Sequence, residues 1–462
     1  VPKKYYAMTG SQKMMFLAQD FAKEKQINNI SMLVTLDNAD PAILTKSAEI
    51  AVEKCDAMRL CYDIINREKN DYSGYLQYFS DGKSENIQFL DFSEKTDDDM
   101  YKVLRSAVNR NLCKPTARMY RLLVLKTPQR KTAIFLAVSI TIMDRWAMNV
   151  FLSYVFGIYE AITNNSKMPE PPYSYEKLLE KELNEEADKT AEDKKFWKNQ
   201  FLKENEPVFT HPDGREILDK YRKKKENPNL RYVEHLAHGG KSETKKYVIP
   251  KELVSAVYEF SKKTNTSVQA VLSCILMLML GALNQENDVT VRTVVSRRSS
   301  KEEKYSLGSR TMYLPLRMII KPEMTFSESC MECYLCLCSI YRHPNMSHRD
   351  LFSAYQQVYN IPYYGTYSSV SITFLPLPLK FMGKNVKTEW LPSGSISHLM
   401  HISAVDDDGS GGMRLYIETL VGGAKSNSAD KLIENMKKIL IIALDNPNLT
   451  VEEIGEMMKK SV

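Results

Sequence analysis

At 462 residues the chain is about three times a typical domain length, so two or more lobes and a large core are expected. Hydrophobic residues at 43% and charged residues at 26% exclude a disordered or fibrous chain. With 63 basic and 57 acidic residues the formal net charge is +6, too slight over such a surface to favour nucleic-acid binding.

The opening VPKKYYAMTGSQ lacks the apolar core of a signal sequence, so a cytoplasmic protein is expected, and Val1 in place of Met leaves room for an excised or processed piece. Thr9 and Gln12 stand at capping-box spacing ahead of Met14, Leu17, Ala18 and Phe21, which share one helical face. NNISMLVTLD then reads as a strand, PAILTKSAEIAVEKC as a helix, and RLCYDII and GYLQYF as strands. A helix around DMYKVLRSAVNRNL leads to two long strands, ARMYRLLVLK and TAIFLAVSITI, and to the helix RWAMNVFLSYVFGIYEAI. This alternation predicts a layered αβ lobe over residues 1–173, closed by the breaker-rich NNSKMPEPPYSY.

Residues 174–462 repeat that logic in a second lobe. They begin with a charged helical stretch and a long connection, whose basic run YRKKKENPNLR reads as a solvated loop rather than a phosphate-binding patch. AVLSCILMLMLGAL is too short to span a bilayer and fits a buried helix, so no membrane association is expected. DVTVRTVVS, TMYLPLRMII and SSVSITFL follow as strands. Cys330, Cys333, Cys336 and Cys338 crowd into one predicted helix, which offers no tetrahedral pocket; they read as core-packing thiols, and no metal is expected. LMHISAVDD and MRLYIETL form a hairpin whose Asp406, Asp407 and Asp408 read as a polar tip rather than a calcium site. Two capped helices close the chain, one after Ser428 and one with Thr450 and Glu453 as a capping box.

All seven histidines lie beyond residue 210, so the first lobe has no imidazole to offer for proton transfer near neutral pH. Ser139 sits in a strand without a Gly-flanked elbow or an adjacent base, which argues against a nucleophile. His398 and His401, three apart in a predicted strand, are expected to face opposite sides, and His343 and His348 to cap or decorate a helix end. There is no Gly-rich phosphate loop of the Rossmann or Walker type.

Taken in order, YYAMTGSQKMMFL, KPTARMYRLLVL, the span from NTSVQAVLSC to VVSRR, SLGSRTMYLPLRM and the closing hairpin and helices resemble the condensation domains of nonribosomal peptide synthetases. These belong to a wider acyltransferase superfamily related to chloramphenicol acetyltransferase. The resemblance runs nearly end to end. Its signature, H-H-x-x-x-D-G, falls on SITIMDR: Ser139 and Ile140 stand at the two histidines, Asp144 at the aspartate and Arg145 at the glycine. The resemblance implies an α/β fold of two acetyltransferase-like lobes in a V-shaped pseudo-dimer with a central tunnel. It implies an Asp144–Arg298 ion pair, and Trp146, Met312 and His398 are expected to line the tunnel.

In that family the second histidine acts on the acceptor amine that attacks a carrier-bound thioester, and isoleucine can do neither orienting nor deprotonation. No catalytic residue is assigned on this basis. The leading expectation is a degenerate domain that keeps a binding surface for a carrier protein, whose phosphopantetheine arm is the one cofactor-like group implied, or for another synthetase domain. Two alternatives stand beside it: an active acyltransferase using His343, His398 or Glu389 as a non-standard base, and a small-molecule binder using the interlobe cleft. Arg145 has a further possible use, binding a carboxylate or the phosphopantetheine phosphate.

Overall fold

The computed structural model describes residues 3–66, 74–81, 86–203, 205–234, 239–362, 365–375, 378–406 and 411–460. Thr9 caps the first helix, Gly10–Phe21, with the reciprocal Gln12 bond that the sequence spacing predicts. The first lobe is built on a five-stranded sheet in the order Lys387–Trp390, Asn29–Leu36, Thr132–Ser139, Tyr120–Lys126, Gln88–Asp91. Its central strand, TAIFLAVS, is buried at every position because helices cover both faces. Pro41–Lys54 and Arg145–Thr163 pack on one side and Asp97–Val108 on the other.

The edge strand of that sheet comes from far along the chain. Lys387–Trp390 lies antiparallel to Asn29–Leu36, pairing Trp390 with Met32 and Glu389 with Leu33. The expectation that everything after residue 173 stays in a second lobe therefore meets an exception. The segment crosses over because Leu379, Phe381, Val386 and Trp390 find their apolar neighbours in the first lobe's core.

The second lobe carries a seven-stranded sheet ordered Met312–Ile319, Asp288–Val295, Val370–Leu375, Met400–Asp406, Met413–Leu420, Gly240–Ile249, Ser395–Ile396. Val268–Asn284, almost wholly buried, packs beneath it with Phe326–Arg342 and Ser428–Asp445. Cys330 and Cys333 lie in that core beside Cys274, while Cys336 and Cys338 are half-buried. Among the described residues no single helix is long and apolar enough to cross a membrane; Lys251–Lys263 and Val268–Asn284 pass only as a pair bent by 106°.

Three local expectations are corrected. The basic run begins inside a helix, Glu216–Lys224, whose last turn holds Arg222, Lys223 and Lys224, where cations complement the helix dipole. Ser428 opens its helix as the first residue, with Asn427 at the cap position, and spends its hydroxyl on Asp213. His398 precedes its strand, so strand alternation does not govern it. Its ring centroid lies 6.1 Å from that of His401, and both line the same cavity. Asp407 and Asp408 at the hairpin tip fall outside the described residues, as do His235 and His238.

Tyr175–Lys203, a 29-residue helix, ties the lobes together. Asp56 of the first lobe accepts from the amides of Tyr175 and Glu176 at its start. Near its end Trp197 Nε1 donates to the His343 carbonyl and Asp193 contacts His343 Nδ1 at 3.0 Å, both in the second lobe.

Candidate functional site

A cavity of about 1100 Å³ opens between the lobes, roomy enough for a drug-sized ligand. Its first-lobe wall is formed by the turn that links strand Thr132–Ser139 to helix Arg145–Thr163. Ser139 is fully buried and its hydroxyl bonds Thr141 Oγ1 at 3.0 Å, so it faces the protein interior. Ile140 is held by its amide to the Asn28 carbonyl at 2.7 Å and lines the cavity. An aliphatic side chain thus occupies the wall where the resemblance places an imidazole.

Asp144 caps the helix through the Ala147 amide at 2.9 Å, the usual task of an aspartate at that position. Both its oxygens also lie 3.1 Å from Arg298 Nη2, and it accepts from the Arg310 amide and the Thr311 hydroxyl. Arg298 in turn donates to the carbonyls of Glu303, Ser306 and Gly308. The ion pair is thus embedded in a hydrogen-bonded knot joining the two lobes. Gly308 is required in it: φ is +96°, and a Cβ there would meet the Tyr175 ring 2.0 Å away. Alongside, Glu182 from the connecting helix engages both Arg297 and Arg310.

Arg145 reaches out of the first lobe, donating to Ser403 Oγ at 2.6 Å and lying 4.5 Å over the Trp390 ring. Trp146 lines the cavity and bonds the Lys304 carbonyl through its indole N–H. Met312 does not line it. Strand alternation turns Met312 into the core, where its sulfur accepts from Ser11, and leaves Thr311 and Tyr313 on the cavity side. Glu389 is likewise absent from the wall and accepts from the Tyr101 hydroxyl at 2.7 Å. His343 caps a helix end and stacks on Phe196.

The second-lobe wall holds what the sequence reading missed. A polar row crosses the sheet in register: Arg292 opposite Ser371, Ser371 opposite His401, His401 opposite Glu418. Arg292, His401 and Glu418 line the cavity together with His398 and Tyr313. The available signal was the single arginine in DVTVRTVV and the single glutamate in MRLYIETL, each on the strand face opposite the alternating apolar residues that enter the core.

The electrostatics of this row follow from burial beside cations. His401 donates to or accepts from Ser371 Oγ through Nδ1 at 2.7 Å, and its pKa is pulled down to about 3 by burial, then by Arg145 and Arg292. Burial pushes Glu418 above the usual carboxylate range, with Arg145 opposing. Because the unfolded chain takes up a proton on His401 below about pH 6.5 and the folded chain does not, stability falls as pH drops from about 6.5 to about 3. We expect a His401→Gln variant to lose about 2 kcal/mol less than the parent between pH 7 and pH 5 in denaturant titrations; equal losses would count against a neutral buried imidazole.

A family model described as "Condensation domain" matches residues 3–359. Surfactin synthase subunit 1 of Bacillus subtilis (strain 168) is 23% identical over 336 residues, covering 70% of this chain and 8% of the relative. Gramicidin S synthase 2 of Brevibacillus brevis is 20% identical over 331 residues, covering 71% and 7%. The chain therefore matches under a tenth of the length of either protein. Among solved structures, the first condensation domain of the calcium-dependent antibiotic synthetase, in complex with a substrate analogue, superposes with a TM-score of 0.79 at 14% identity, covering 97% of this chain and 99% of that one. The condensation domain of Monacolin K polyketide synthase gives 0.77 at 13% identity, over 97% and 99%. At such identities the likeness carries the fold: two chloramphenicol-acetyltransferase-like lobes.

Proposed function

The chain belongs to the condensation domain family of nonribosomal peptide synthetases, and from that premise we propose that it is a member that holds a carrier-delivered acyl group without joining it to an amine. One observation carries the reading. Ile140 lines an open cavity while Ser139 is turned away from it. The wall keeps its scaffold and lacks the group that handles the acceptor's proton, so binding outlives bond formation. The partner is an acyl or peptidyl carrier protein, and the cavity's apolar wall, with Met14, Leu17 and Ile140, suits the arm and chain such a carrier brings.

A second reading, amide formation with a base from the opposite wall, draws on His398, His401 and Glu418 facing the same cavity. His401 is poorly matched to that work. A base near 3 taking a proton from an α-amino group near 8 runs uphill by roughly 7 kcal/mol. Glu418, with its affinity for protons raised, is the better candidate on this wall, and Glu418→Gln tests it.

The experiment is to load a carrier protein with an acyl group, add an amine acceptor, and measure both complex formation and amide product. The reading expects saturable binding of loaded carrier over unloaded carrier and no product above the uncatalysed rate. Product at rates typical of the family, abolished by Glu418→Gln, transfers the case to the second reading.

A further inference from the structure

The cavity wall carries two guanidinium groups whose hydrogen-bond partners are all neutral. Arg145, from the first lobe, is engaged by Ser403 Oγ and the Trp390 ring. Arg292, from the second, donates to Ser368 Oγ at 3.1 Å and to the Ser368 carbonyl, and lies 3.2 Å from His398 Nδ1. Among the described residues neither has a carboxylate within ion-pair distance. Four other buried or half-buried arginines are paired with carboxylates: Arg298 with Asp144, Arg297 with Glu182, Arg310 with Glu182 and Glu303, Arg317 with Asp288.

Of the acids lining the cavity, all but Glu192 and Glu418 are committed. Asp144 serves Arg298, Glu303 serves Arg310, and Asp193 serves His343. Glu418 faces the same cavity as Arg145 but makes no ion pair with it, and burial raises its affinity for protons. Arg145 meets Ser403, two residues along the strand from His401, and Arg292 lies opposite Ser371, itself opposite His401, so the two cations flank one locus on the polar row. An unpaired charge facing a space of reduced dielectric is costly, and an entering carboxylate relieves that cost with charge-assisted hydrogen bonds.

We infer that the group held in this cavity is acidic: an acyl or aminoacyl chain whose terminal carboxylate is received between Arg145 and Arg292. The inference rests on the acyl-binding reading above and adds the chemical class of the ligand. A phosphate is recognised by the same cations, so the test separates the two sources.

The probes are the N-acetylcysteamine thioesters of glutarate and pentanoate, alike in chain length and free of phosphate, titrated calorimetrically against the 462-residue chain. Charge-assisted bonds predict about 10- to 100-fold tighter binding of the glutaryl thioester. Arg145→Met and Arg292→Met should each collapse that ratio toward one. Equal binding of the two thioesters overturns this inference while leaving acyl binding intact, and failure of both to bind overturns both readings. A ratio that survives in both variants also overturns it. So does a preference for phosphopantetheine over pantetheine with no glutaryl preference.

Discussion

Asp144→Ala is expected to destabilise the protein by about 3–5 kcal/mol, read as a shift of the denaturant midpoint at pH 7. The carboxylate is buried and accepts from Arg298, from the amides of Ala147 and Arg310, and from Thr311. Removing it leaves the Arg298 cation enclosed and uncompensated, and this, rather than the Coulomb energy of the pair, sets the size of the loss. Arg298→Lys should recover little. The site uses two guanidinium nitrogens at once, Nη1 on the Glu303 and Ser306 carbonyls and Nη2 on Asp144 and the Gly308 carbonyl, and one ammonium cannot span them. A loss below about 1 kcal/mol for Asp144→Ala would mean that the contact is incidental to the fold.

Ile140→His is expected to raise amide formation from a carrier-bound thioester by about 10²- to 10⁴-fold over the parent chain, the usual worth of a positioned acid-base group. The substitution changes one side chain on a wall whose backbone is pinned by the Asn28 carbonyl and whose neighbouring Asp144 knot stays untouched. The restored imidazole faces the cavity, where Ile140 now stands. Single-turnover measurements with loaded carrier are the suitable readout. An unchanged rate, with the variant folded and still binding carrier, would show that more than the imidazole has been lost. A parent rate already equal to that of known condensation domains would show that the chemistry never needed it.

Much of the architecture was open to sequence reasoning because it depends on local periodicity. The capped first helix, the fully apolar central strand and the buried Val268–Asn284 helix follow from spacing alone. The Asp144–Arg298 contact is different. No periodicity connects residues 154 positions apart, and its expectation came from motif resemblance. Pairings across long sequence separations stayed hidden, among them the return of Lys387–Trp390 to the first sheet. So did the polar row, since Arg292, Ser371, His401 and Glu418 sit on four different strands and only sheet register brings them side by side. Met312 shows the cost of ignoring alternation: its neighbours Thr311 and Tyr313 line the cavity and it cannot.

The borrowed edge strand also limits how a guest can enter. Four cross-strand residue pairs stitch Lys387–Trp390 to Asn29–Leu36, and Trp390 is the platform under Arg145. Swinging the halves apart like a clam would unzip that seam and bare a hydrophobic sheet margin to solvent. A guest must instead reach the interior through the cavity's open side, with that seam left closed.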